Sequence, residues 1–117
     1  MNETDMKLRT KRFALNVIRL TAELPKTAEG RAVGNQLVRS GTSVGANYRA
    51  ACRGRSKADF VSKLGIVEEE ADESCYWMEI IIEGTLLPEE RVRALLKEAN
   101  ELTAIIVASR KTAGGTK

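Results

Sequence analysis

Between Arg39 and Lys63 the chain carries six cations, Arg39, Arg49, Arg53, Arg55, Lys57 and Lys63, with Asp59 the one acid among them. A guanidinium is a planar fork of donors that suits a phosphate or a carboxylate. Two uses follow: contact with the phosphates of a polyanion, or pairing with acids on a neighbouring helix or subunit. Arg49 and Arg53 lie one helical turn apart and share a face. Lys7, Arg9, Lys11 and Arg12 make a second basic cluster near the start of the chain.

The acidic run Glu68-Glu69-Glu70, followed by Asp72 and Glu73, admits a different chemistry. An all-carboxylate site suits magnesium or manganese, and Glu69 with Glu73 would then serve a metal-dependent hydrolase. The other use of that run is a solvated or subunit-facing acidic surface, with Glu69 and Glu73 one turn apart and able to meet basic residues of the second helix. Dimetal sites in bundle cores pair carboxylates with a Glu-x-x-His motif, and this chain has no histidine. That lack also removes the commonest general base and leaves Ser43 without a nucleophile-activating partner. The expectation is no catalytic residue, no metal and no cofactor. Tyr48, Tyr76 and Trp77 could stack on unpaired bases, but aromatic residues are only 4% of the chain and lie beside apolar stripes, where they suit core or interface packing. Cys52 and Cys75 lack metal-type spacing and read as free thiols.

Helices must position these groups. Phe13, Val17, Leu20 and Leu24 recur at helical spacing, with Pro25 as the stop, which predicts a helix over about 5–24. Thr27 caps a second, read as one helix over about 28–53 with a kink near 40–43, the alternative being two short helices with a break there. Ser56-Lys-Ala-Asp59 has the form of a capping box and opens a third over about 57–83, closed by a left-handed turn at Gly84. Pro88 sits at the first position of a fourth, over 88–111, followed by a frayed tail at 112–117. Ser40, Gly41, Ser43, Gly45 and Asn47 form a stripe of small residues, a seam where another backbone can come close, with Ser43 and Asn47 tying helices together. Gly41-x-x-x-Gly45 is a helix-packing spacing, not a phosphate loop. No segment alternates as a strand does. Short connections make successive helices antiparallel, so the expected fold is all-α: one domain over 1–117, an up-down-up-down four-helix bundle.

Gln36, Arg39-Ser40, Ser43, Ala46-Asn47, Ser56 and Asp59-Phe60, with the acidic stretch ending near Trp77, resemble the four-helix-bundle family of intervening-sequence proteins of large-subunit ribosomal RNA genes. The likeness runs from Phe13 to about Arg110. The chain departs from the family's pattern at Ala51-Cys52, where many members carry Glu-Gly. The resemblance implies a homo-oligomer, most often a pentameric ring. It extends to the accessory protein of diversity-generating retroelements, a basic pentamer that associates with nucleic acid and a reverse transcriptase.

Charge sets the functional expectation. Residues 1–63 hold 13 Lys and Arg against 5 Asp and Glu, a net +8, whereas 64–117 hold 6 against 11, a net −5. Such asymmetry points to an anionic partner for the basic half or to self-assembly by opposite charge. No stretch reaches the ~20 apolar residues of a membrane span, and the opening Met1-Asn-Glu-Thr-Asp lacks the apolar run of a secretory signal; a cytoplasmic protein without a membrane partner is expected. The leading expectation is a non-enzymatic homo-oligomer that binds RNA or DNA without sequence preference through Arg39, Arg49, Arg53, Arg55, Lys57 and Lys63. The alternatives are a protein–protein adaptor or assembly scaffold, and the carboxylate-metal hydrolase.

Overall fold

A computed structural model describes residues 1–115, and helices account for nearly all of them. In chain order they are α1 (Glu3–Thr21), α2 (Ala28–Cys52), α3 (Lys57–Glu83) and α4 (Glu89–Ala113). There is no strand among the described residues. The bundle is elongated, 45 × 23 × 20 Å, as helices of 19–27 residues rising 1.5 Å per residue require. Consecutive helices pack side by side, α1 touches α4 to close the square, and α1 and α3 occupy diagonal corners.

Side-chain caps start three of the four helices. Asn2 accepts from the Asp5 amide at 2.8 Å, Thr27 from Gly30 at 3.1 Å and Ser56 from Asp59 at 3.1 Å, each satisfying an amide left over at a helix start. Pro88 is the residue before α4 rather than its first turn, and it makes no side-chain cap. α1 ends at Thr21, before Pro25; Leu24 turns back to bond Thr21 and is buried. α2 runs without a break through Ser40–Ser43, so the glycines thin the helix rather than interrupt it. At the end of α3 the left-handed residue is Thr85, φ +53°, and not Gly84, whose φ is −82°. Gly84 is there for room: a Cβ on it would lie 2.9 Å from the Ile80 carbonyl oxygen. Helix α4 extends through Ala113, so the expected fraying at 112–113 gives way to helix; Thr116 and Lys117, the last of that expected tail, lie outside the described residues.

Each helix contributes a stripe to one core. Phe13 and Val17 of α1, Leu37 and Val44 of α2, Leu64 and Met78 of α3, and Leu102 and Ile106 of α4 are almost fully buried. The α1–α2 contact is the seam the small residues announce. A Cβ at Gly41 would stand 2.8 Å from Val17 Cγ2, so Val17 would have to move, and one at Gly45 would stand 3.2 Å from Thr10 Oγ1, a tight fit that a small shift of Thr10 would relieve. On the other flank of α2, the buried Ser74 hydroxyl donates to that of Ser40 at 3.1 Å, tying α3 to α2 at mid-height. No helix among the described residues is long and apolar enough to cross a membrane.

Candidate nucleic-acid interface

α2 ends at Cys52 and α3 begins at Lys57, so the intervening turn and the flanking helix ends form one tip of the bundle. Arg49 and Arg53 sit one turn apart on the outward face of α2, and Arg55 and Lys57 follow on the turn. All four are exposed, and none has a carboxylate partner among the described residues. The turn beneath them is held by Asp59. Its Oδ2 accepts from the Arg55 backbone amide at 3.0 Å and from Lys63 Nζ at 3.1 Å. These bonds, the backbone one foremost, hold the Asp59 carboxyl below its ordinary range. Four cations are therefore displayed on a backbone fixed by helix caps rather than on a loose loop.

The other two cations singled out from sequence are engaged within the chain. Arg39 lies between Glu70 and Glu73 of α3, close against the Glu73 carboxylate and 3.6 Å from Glu70. Lys63 is the partner of Asp59. Four of the six cations therefore remain without a salt bridge among the described residues, whereas Glu70 and Glu73 of α3 stand at the height of Arg39 and Asp59 takes Lys63. Glu70 pays for its position: burial pushes its carboxyl up, against the pull of Arg39, and Oε1 has no hydrogen-bond partner.

Ser43 and Asn47 do not bridge helices. Ser43 Oγ donates to the Arg39 carbonyl at 2.6 Å and Asn47 Nδ2 to the Ser43 carbonyl at 2.8 Å, both within α2. Side chains of this length return to their own helix when the carbonyl one turn back is nearest; the cross-link falls to Ser40 instead.

The acidic run divides. Glu68 bonds Arg110 at 2.7 Å, Glu70 and Glu73 hold Arg39, and Glu73 also accepts from Trp77 Nε1 at 3.2 Å. No group of three or more potential metal ligands converges among the described residues, so Glu69 and Glu73 do not form a metal site with a third ligand. Tyr48 is buried and Trp77 half-buried; Tyr76 stands exposed, its ring edge-on to Trp77 at 5.0 Å. Cys52 and Cys75 are free thiols, and burial pushes both up, away from the reactive thiolate.

The basic cluster of α1 also splits. Lys7 pairs with Glu3 at 2.9 Å, and Arg9 forks onto Glu98 at 2.7 and 2.8 Å and reaches Glu101 at 2.8 Å. Lys11 and Arg12 stay open. A groove of ≈ 590 Å³ between α1 and α4 has Arg9, Arg12, Arg19, Arg91 and Glu98 on its walls, with Arg91 forked onto Glu23.

Fold and surface together define a class: a small all-α four-helix bundle with a cationic tip and an acidic run on its third helix. The chain belongs to the 23S rRNA-intervening sequence protein family, whose model matches residues 2–108. It is similar to the crystal structure of a protein of unknown function from the S23 ribosomal protein family of Bacteroides thetaiotaomicron. The two share 31% identity and a TM-score of 0.87, over 95% of this chain and 99% of that one. No curated protein matches the chain.

Proposed function

We propose that this chain is a non-enzymatic, homo-oligomeric, cytoplasmic bundle that binds nucleic acid without sequence preference through Arg49, Arg53, Arg55 and Lys57. The observation that carries the reading is that these four cations are exposed, adjacent at one tip, and make no salt bridge among the described residues. Charges of this kind recognise phosphates by releasing counterions, which gives affinity without reading bases. Repetition of the tip in an oligomer would multiply weak contacts along one strand. Arg39 and Lys63 contribute to the fold and not to the contact.

The test is fluorescence anisotropy of a labelled single-stranded RNA across a salt series. If all four cations contact phosphates, log K falls with log salt at a slope of about −3 per protomer. Arg49→Ala with Arg53→Ala should flatten that slope by about 1.4. No binding at the lowest salt overturns the reading.

The second reading, an assembly scaffold, draws on the acids Glu69, Asp72, Glu79 and Glu83, which are also without partners within the described residues. Opposite charge left open on two sides of one molecule suits contact between copies.

A further inference from the structure

Apart from Met1, the exposed large apolar side chains among the described residues lie on just two helices. Leu8, Leu15 and Ile18 of α1 are 55, 46 and 46% exposed, and Ile66 and Tyr76 of α3 are 43 and 52% exposed. On α1 the stripe lies opposite Met6, Phe13 and Val17, which face the core; on α3 it lies on the side away from Leu64, Val67 and Met78. Each helix is therefore apolar on both sides, which a single bundle does not require.

The surroundings of the two stripes are opposite in sign. Lys11, Arg12 and Arg19 border the α1 stripe without a carboxylate, Arg19 bonding only Asn16 at 2.9 Å. Glu69, Asp72, Glu79 and Glu83 border the α3 stripe without a cation. The spacing also agrees. Leu8, Lys11 and Ile18 are three and seven residues apart, and so are Ile66, Glu69 and Tyr76.

Their heights agree as well. Val17 packs at Gly41, and the neighbouring Ser40 meets Ser74, so residues 17 and 74 are level in the bundle. Carried along the two helices at about 1.5 Å per residue, this puts Leu8, Lys11 and Ile18 within about one residue of the level of Ile66, Glu69 and Tyr76. α1 and α3 run in the same direction at diagonal corners, so their outer faces point away from each other. One chain cannot bring them together. A second copy, turned about an axis parallel to the bundle, can, and it keeps the levels matched.

We propose that α1 of one copy docks along α3 of the next, Leu8 against Ile66, Ile18 against Tyr76, with Lys11 paired to Glu69. The contact is heterologous, each copy offering a different face, so it repeats head to tail until a ring closes. It rests on the homo-oligomeric reading above and specifies which surfaces meet. Trp77, bonded to Glu73, packs edge-on beside the exposed Tyr76 ring.

Two variants test it by sedimentation velocity, with circular dichroism to confirm helicity. Leu8→Glu with Ile18→Glu spoils the α1 face; Ile66→Lys with Tyr76→Lys spoils the α3 face. Each alone should sediment as a monomer. Mixed, they should form a one-to-one dimer and nothing larger, because each supplies the face the other has lost. Separately, Lys11→Glu should weaken assembly at least ~10-fold and Glu69→Lys added to it should restore assembly, a gain that general damage to the fold would not give. Variants that remain assembled like the parent, or a mixture that stays monomeric, overturn the α1-on-α3 contact while leaving an oligomer in place. A parent that is monomeric at ~100 µM, where even a contact with Kd near 10 µM is mostly formed, overturns the contact and the homo-oligomeric reading together.

Discussion

The middle of α2 and its C-terminal turn carry the same residue type to opposite ends. Arg39 faces Glu70 and Glu73 across a helix–helix boundary and is paired with both, while half of its side chain stays exposed. Arg49, on the same helix, and Arg53, the residue that caps it, are exposed and make no salt bridge among the described residues. The difference lies in the neighbour at each height, not in the arginines. An arginine-rich segment is thus a composite, part clamp between helices and part open surface, and the packing register decides which part is which.

Reversing charge at the open end should have the largest effect. Arg49→Glu with Arg53→Glu should cut RNA affinity at least ~100-fold at low salt, with the melting temperature nearly unchanged; anisotropy and a thermal melt read the two. Next, filling the seam beside Arg39 should destabilise the fold. Gly41→Val drives a branched side chain into Val17, already within 2.8 Å of a Cβ there, and should cost about 2 kcal/mol by denaturant titration. RNA binding by the folded fraction should stay as it was.

Smaller effects sharpen the contrast. Arg39→Met should leave RNA affinity within twofold and lower the melting temperature by less than Gly41→Val does. Adding Glu70→Gln should recover that loss, since burial already disfavours the Glu70 carboxylate and its removal leaves no charge to satisfy. The smallest effect is a matter of pH. The Asp59 carboxyl is held low by the Arg55 amide and then by Lys63, so its stabilisation is present above the unfolded value and is lost as pH falls through the folded one. Asp59→Asn should therefore flatten the acid limb of a stability–pH curve below about pH 4 and leave neutral pH little changed.

Much of this arrangement was legible in the residues. The 3/4 spacing of Phe13, Val17 and Leu20, the capping residues Thr27 and Ser56, and the small residues around Gly41 marked out four helices and a close-packing seam, because spacing, caps and side-chain size are properties of short stretches of chain. The sign of the charges was legible too, but not their partners. That Arg39 meets Glu73 depends on how far α3 slides along α2, a register set by buried pairs such as Ser40 and Ser74. Ser43 and Asn47 went astray for a similar reason: a position beside the seam differs from one pointing into it by part of a turn. The left-handed residue fell on Thr85, against backbone preference, where the Thr85 amide bonds the Ile82 carbonyl and the Leu86 amide the Ile81 carbonyl to close the end of α3. The outward stripe of Leu8, Leu15 and Ile18 did have a signal, a second apolar repeat opposite the first, which the stronger core repeat of the same helix obscured.

The salt dependence of RNA binding, compared across three proteins, tests the division of α2 most directly. The parent and Arg39→Ala should show equal slopes of log affinity against log salt, and Arg49→Ala with Arg53→Ala should show one flatter by about 1.4 per protomer. Equal slopes for all three, or a slope that flattens with Arg39→Ala alone, would contradict it.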